Sequence, residues 1–214
     1  MLKPTPRLLL FLFALMALLA WRLERDAFER APILGAELAA GDPRTAVLSW
    51  SSGIVAPLAP QLDEAYRTYA NDVDRFVLEL NSPGGSLNAG RDAIAVIERM
   101  KRTHAVDARV GPRAACLSMC VPIFLRGEAR IAAASSRWMF HEPRAFDAVT
   151  GERAREPAFE RRRTTRRFVE RYFVQSEMDP DWLAGLEEAW VGKDVWKSGR
   201  QLWDEGSNVI TRLE

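Results

Sequence analysis

Residues 74–100 constrain the fold more than any other part of the sequence. Residues 74–80 have the composition of a strand, and they run directly into the glycine-containing turn 81–86, which a helical repeat of apolar residues follows at 87–100. This order predicts an α/β unit whose turn leaves backbone N–H groups free to bind a developing oxyanion or a phosphate. The plain alternative is a structural turn whose glycines only supply positive φ angles.

The same alternation of strands and helices continues along the chain. It predicts a single α/β domain over residues 45–214, with a surface loop at 144–157 and an arginine-rich helix at 158–176. The remaining predicted strands are 45–50, 106–110, 137–141 and 208–210, and the remaining predicted helices are 58–69, 114–125, 179–189 and 198–205.

The N-terminal segment has the features of a membrane signal. Residues 8–21 form an unbroken apolar run of 14 residues, with Lys3 and Arg7 before it. We therefore expect a signal anchor or signal peptide at 1–22 and a juxtamembrane linker at 23–44. The expected protein is membrane-bound and single-pass, with its catalytic domain in the periplasm or otherwise outside the cytoplasm. Cleavage of the segment and its orientation stay open, because the flanking positive charges are nearly balanced.

Composition excludes several classes of function. The net charge of +1 gives no indication of nucleic-acid binding. Two cysteines and two histidines without metal-ligand spacing predict neither a metal site nor a cofactor.

Two side chains stand out as candidates for chemistry. Ser118 lies in a segment of small and apolar residues near the start of the predicted helix 114–125, and His141 ends a predicted strand. Each alone is more typical of a structural role. A serine at a helix N-terminus, however, is placed to carry negative charge during a nucleophilic attack.

Taken together, these motifs resemble the ClpP family of serine peptidases. That family has a Ser-Pro-Gly-Gly turn, a nucleophile in an Ala-Ser-Met segment and a base in a Met-Ile-His-Gln-Pro segment, which correspond here to 82–85, 117–119 and 139–143. The step of 23 residues from Ser118 to His141 is close to that of the family. The family's acid signature corresponds to Asp194, which has Ser198 four residues after it.

The resemblance implies a fold and a mechanism. The fold is the ClpP/crotonase-like spiral of β-β-α units, here with an N-terminal hydrophobic anchor helix. The activity is that of an ATP-independent serine endopeptidase acting on peptides or on unfolded or membrane-released polypeptides. A homo-oligomer is expected from the family. The independence of ATP and of an ATPase partner is expected for another reason, since ATP is scarce outside the cytoplasm, where the domain is expected to lie. The implied site residues are the catalytic triad Ser118, His141 and Asp194 and the oxyanion-hole residues Gly84, Gly85 and Met119.

Several alternatives remain open at this point. The crotonases share the fold, bind acyl-CoA and need no serine nucleophile, and a catalytically inactive scaffold on the same fold is also possible. Some membrane-bound relatives use a Ser–Lys dyad, but this chain keeps the histidine. Asp147, Asp179 and Asp181 are further candidates for the acid.

Two features have no assigned role from sequence alone. Cys116 and Cys120 could form a disulfide, in which case activity should respond to reductant, or they could be two small packing residues. The arginine-rich helix 158–176 could present a solvated face, a subunit contact or a lipid-binding surface.

Overall fold

The computed structural model describes residues 16, 32–144 and 157–214 of the chain. Residues 33–214 form one compact α/β unit. Its strands are β1 (Gly35–Ala39), β2 (Asp42–Trp50), β3 (Arg75–Leu80), β4 (Ala105–Val110), β5 (Ala115–Leu117), β6 (Arg130–Ala132), β7 (Arg137–Phe140), β8 (Val195–Ser198) and β9 (Arg212–Leu213). Its helices are α1 (Leu58–Tyr69), α2 (Leu87–Met100), α3 (Cys120–Phe124), α4 (Ala158–Tyr172), α5 (Pro180–Ala189) and α6 (Gly199–Asp204), with a 3₁₀ turn at Val174–Ser176.

The larger sheet has the order β1-β2-β3-β4-β6-β9. β1 is antiparallel to β2, and every other pair in this sheet is parallel. In β3, Phe76, Leu78 and Leu80 point to the buried face, which gives the alternation of a strand with one face on the core. The parallel strands therefore all end at one edge of the sheet.

A smaller sheet carries the two candidate side chains. Its order is β5-β7-β8, with β5 parallel to β7 and β7 antiparallel to β8. A bridge between Ser82 and Cys116 connects the end of β3 to β5. This bridge joins the glycine turn of the larger sheet to the smaller one.

The helices α1 and α2 confirm the predicted bounds 58–69 and 87–100. Both are amphipathic, and they pack against each other with their apolar faces on the core. Ser86 caps α2, because its side chain accepts a hydrogen bond from the N–H of Ala89. The cap sets the start of α2 one residue after the glycine turn.

Two buried arginines attach α4 to the rest of the unit. Arg126 donates to the carbonyl of Tyr172 at 2.7 Å, and Arg130 donates to the carbonyl of Ser176 at 2.9 Å. Burial lowers the pKa of both guanidinium groups. The carbonyls at the end of α4 and of the 3₁₀ turn carry partial negative charge, so these bonds hold the C-terminal end of α4 in place.

Several segments differ from the sequence-based expectation, among them β6 and β8, which lie where no strand was predicted. Residues 114–125 contain β5, a turn and the five-residue α3 instead of one helix. The final strand lies at 212–213 instead of 208–210, and β1 lies within the stretch predicted as a linker. β5 and β9 pair with strands distant in sequence, which a local pattern of residues does not reveal. β1, in contrast, forms a tight hairpin with the adjacent β2.

The predicted membrane localisation is corrected by the structure. Among the described residues, no helix has both the length and the apolar character needed to cross a membrane. A spanning helix needs about 20 consecutive apolar residues, whereas the run 8–21 holds 14. That run, apart from Met16, lies outside the described residues.

Candidate active site

Three loops meet at one edge because of the strand pairing. Leu117 of β5 lies opposite Met139 of β7 in a parallel register, so both strands end at the same side. Ser118 follows the first of these strands and His141 follows the second. The glycine turn joins them through the bond from the N–H of Leu117 to the carbonyl of Ser82, at 3.0 Å. Such an edge of parallel strands is where α/β proteins place their sites.

The backbone of Ser118 is in the left-handed region. Its φ is +52°, which is uncommon for a residue with a side chain. The turn is fixed on both sides, since the N–H of Ser118 donates to the carbonyl of Met139 at 2.9 Å and its carbonyl accepts from Val121 at 3.0 Å. Residues held in this region by their surroundings cluster at functional sites.

A disulfide spans the turn that carries Ser118. Cys116 and Cys120 are bonded, their Cα atoms are 5.2 Å apart, and both residues are fully buried. The sequence left this pairing open, because four residues on one helix are a poor geometry for a bridge. In the structure Cys116 belongs to β5 and only Cys120 is helical, so the chain between them turns around Ser118. The bond therefore restrains the turn that carries Ser118 directly.

The glycine turn approaches Ser118 too closely for any side chain. A Cβ on Gly84 would lie 2.6 Å from the carbonyl oxygen of Leu117 and 2.7 Å from the Cβ of Ser118. A Cβ on Gly85 would lie 2.4 Å from the carbonyl oxygen of Ile54. Both glycines also have positive φ, at +88° and +153°. The two residues are therefore required both for conformation and for space.

Two backbone donors at this turn have no acceptor among the described residues. They are the N–H groups of Gly85 and Met119, which flank Ser118 in the lining of one pocket. The N–H of Gly84, in contrast, donates to the hydroxyl of Ser82 at 3.2 Å. Of the two glycines predicted for an oxyanion hole, Gly85 is thus the one with a donor available.

Gly90 supports Met119 and was missed by sequence reasoning. A Cβ on Gly90, in the second turn of α2, would lie 2.4 Å from the terminal methyl of Met119. The missing side chain lets Met119 bury itself against α2 and so fixes its backbone. A glycine inside a helix is unfavourable by itself, and that was the available signal for a packing role.

His141 is held in one tautomer by its neighbour. Its Nδ1 lies 2.5 Å from the carbonyl oxygen of Glu142. Because a carbonyl oxygen can only accept, Nδ1 carries the proton of the neutral ring, and Nε2 is the basic nitrogen of that tautomer. The other histidine, His104, contacts the carbonyl of Ala70 and the hydroxyl of Thr103, as a structural histidine does.

The register of β7 and β8 sets Asp194 opposite His141, but the carboxylate of Asp194 forms its ion pair with Arg144. Phe140 lies opposite Val195 in the antiparallel pair β7–β8, and continuing that register by one residue sets Asp194 opposite His141. Among the described contacts, its Oδ1 accepts from Arg144. The other carboxylate oxygen has no described partner.

A second bond ties the same two segments together. The buried carboxylate of Glu142 accepts from the N–H of Gly192 at 3.0 Å, two residues before Asp194. The pairs Glu142–Gly192 and Arg144–Asp194 thus fix the loop 190–194 to the end of β7. Neither Glu142 nor Arg144 was predicted, since both partners lie about 50 residues away in sequence.

Four of the six predicted site residues line one pocket, which we name the Ser118 pocket. They are Gly85, Ser118, Met119 and His141, while Gly84 packs behind Ser118 and Asp194 contacts the lining residue Arg144. The volume is about 220 Å³, below the ~300–1,000 Å³ of sites that enclose a drug-sized ligand. The apolar walls include Leu87, Met139, Phe140, Phe168, Phe173 and Trp190.

Comparison with known proteins identifies the fold. A structure of a ClpP1 point mutant from Listeria monocytogenes is similar to this chain with a TM-score of 0.56 at 20% sequence identity. The match covers 80% of this chain and 91% of the other. No protein-family profile and no curated protein sequence matches the chain. The ClpP-like fold predicted from the sequence motifs is therefore confirmed at the level of architecture.

Proposed function

We propose that this ClpP-like domain is a serine peptidase with Ser118 as nucleophile and His141 as general base. One observation carries the proposal: Ser118 and His141 line the same pocket as the backbone N–H groups of Gly85 and Met119, two donors that have no acceptor in the part of the chain that the structure describes. A nucleophile, a base and oxyanion donors around one space are the elements that acyl transfer needs.

The proposed mechanism follows from the tautomer of His141. Nε2 takes the proton of the Ser118 hydroxyl as Oγ attacks the peptide carbonyl, and the carbonyl oxygen becomes an anion. The N–H groups of Gly85 and Met119 donate to that oxygen. The imidazolium then gives its proton to the leaving amine, which leaves an acyl-serine. Water activated by the same nitrogen hydrolyses this ester and restores the enzyme.

The pocket favours peptides and unfolded polypeptides as substrates. Its volume of about 220 Å³ admits one side chain and its walls are mostly apolar, so the chain on either side must be extended and accessible. The family resemblance adds a homo-oligomer to the proposal. The expectation that no ATPase takes part rested on an extracytoplasmic placement, and it is not part of the proposal.

A serine-directed fluorophosphonate tests the assignment most directly. The purified protein should be labelled at Ser118, as shown by peptide mass spectrometry, because only an activated serine reacts at a useful rate. Ser118→Ala should remove the label, and His141→Ala should slow labelling strongly. A crotonase-like enzyme or an inactive scaffold would give no label at Ser118 above that of a denatured sample.

Asp194 is proposed as the acid of the triad, a role in which its carboxylate takes the place of the Glu142 carbonyl at Nδ1 of His141. Its replacement should separate it from the other candidates. Asp194→Asn should lower kcat by about 10²–10⁴, the range expected when the carboxylate that orients and stabilises the imidazolium is lost. Asp181→Asn is the matched control, because Asp181 is exposed on α5 and should leave kcat unchanged. Steady-state hydrolysis of a fluorogenic peptide measures both. A silent Asp194→Asn would leave a Ser–His dyad and exclude Asp194.

A further inference from the structure

A second cavity opens beside the Ser118 pocket, and we name it the arginine annex. It has a volume of about 210 Å³ and shares the residues Leu87, Pro143 and Phe168 with the Ser118 pocket. The two cavities are therefore adjacent to each other. An extended peptide with one side chain in the Ser118 pocket would pass along the annex with a neighbouring residue.

The charge of the arginine annex is positive. Arg91 of α2 and Arg167 and Arg171 of α4 line it, and none of the other described lining residues is Asp or Glu. The Ser118 pocket differs, because the charge of its one described arginine, Arg144, is balanced by Asp194.

The three arginines are poorly neutralised by their surroundings. Arg91 contacts the adjacent Asp92 at 3.4 Å, and both side chains are about half exposed. The guanidinium of Arg171 lies over the ring of Tyr172, with 5.7 Å to the ring centroid. Arg167 has no ion pair among the described residues. A cleft lined by charges of one sign concentrates ligands of the opposite sign.

From this arrangement we infer that the site selects peptides that carry a carboxylate next to the apolar side chain held in the Ser118 pocket. This inference rests on the proposed peptidase function and adds a substrate class to it. Guanidinium groups bind carboxylates through paired hydrogen bonds, which suits three arginines from two helices around one small cavity. The carboxylate is either an acidic side chain or the C-terminus of the peptide.

Matched peptide substrates test the inference. A fluorogenic peptide with an apolar residue before the cleaved bond is varied to Glu or Gln at each neighbouring position, with a free or amidated C-terminus. At one position the acid should raise kcat/KM about fivefold to tenfold, the range of a few partly exposed ion pairs. The ratio of kcat/KM for the acidic peptide to kcat/KM for the neutral peptide should fall as salt is added. If Glu raises kcat/KM at one position, the carboxylate is an acidic side chain. If kcat/KM falls on amidation instead, the carboxylate is the C-terminus of the peptide.

A charge reversal with a matched control separates the annex from general basicity. Arg167→Glu lowers the summed charge of the three arginine positions that line the annex from +3 to +1, so the preference for Glu over Gln should fall severalfold. Arg163→Glu changes the charge equally on the same helix, but Arg163 is exposed outside both cavities, so the preference should persist. Equal kcat/KM for all peptides, or equal losses in the two variants, would overturn the inference.

Binding to Ser118→Ala distinguishes failure of the inference from failure of the proposed function. Fluorescence polarisation of the same labelled peptides measures affinity without turnover. If no peptide is hydrolysed and Ser118 takes no fluorophosphonate, the peptidase assignment fails, whereas tighter binding of the Glu peptide still supports the annex. Equal binding of the Glu and Gln peptides contradicts the annex whether or not hydrolysis occurs.

Discussion

Ser118→Ala and His141→Ala should each lower kcat for peptide hydrolysis by a factor on the order of 10⁶, as expected when either member of a working serine–histidine pair is removed. The double variant should lose no more than either single variant. Such non-additivity arises because the serine is a weak nucleophile without its base, and the base has no other proton to take. Steady-state kinetics on one fluorogenic peptide measures all three proteins.

The stability of these variants provides the control. Alanine keeps the Cβ of Ser118, so the left-handed backbone is no more strained than before, and thermal unfolding should occur at the same temperature. A Ser118→Ala protein of full activity, purified free of contaminating peptidases, would show that another group is the nucleophile. Strictly additive losses would indicate that the two residues do not act together.

Gly84→Ala should also cause a large loss of kcat, although Gly84 contributes no side chain and no free donor. The added Cβ would overlap the carbonyl of Leu117 and the Cβ of Ser118, both part of the turn that carries Ser118. The turn must shift, and the N–H of Met119, 3.2 Å from the added atom, shifts with it. We expect kcat to fall by about 10²–10³, the value of one oxyanion donor.

A substitution at a second glycine distinguishes the effect of steric overlap from the effect of backbone strain. Gly41 has a similar φ, +83°, but a Cβ there would meet no atom within 4 Å. Gly41→Ala should therefore lower the free energy of unfolding by about 1–2 kcal/mol, the cost of a left-handed alanine, and leave kcat unchanged. Full activity of Gly84→Ala, measured with the same peptide, would show that the turn does not position the oxyanion donors.

Local patterns predicted the parts of the fold that depend on local physics. The helices 58–69 and 87–100 were predicted at both ends, because each buries one apolar stripe and α2 begins at the cap Ser86. The segment 114–125 was not, since its small residues have no period and the three residues of β5 are strand only through pairing with β7.

The candidate site shows the same division. Ser118, His141 and the glycine turn were found because they occur in motifs of adjacent residues. The bonds Glu142–Gly192 and Arg144–Asp194 join segments about 50 residues apart, and no spacing within either segment indicates them. The contribution of α4 to the pocket walls depends on how that helix docks on the sheets, which its own arginine-rich sequence does not specify.

At Ser118 the left-handed backbone lowers the stability of the fold, while the side chain is needed for the proposed activity. Only glycine adopts a φ of +52° without steric cost, whereas a residue with a Cβ gives up about 1–2 kcal/mol. Ser118→Gly would relieve that cost and remove the hydroxyl in the same step. Glycine loses about 0.5–1 kcal/mol more conformational entropy on folding, which is less than the cost relieved. Selection for stability alone would therefore favour a glycine here, and a glycine lacks the hydroxyl of the proposed nucleophile. A lineage that lost the need for the chemistry could become a binding scaffold by a first substitution that strengthens the fold.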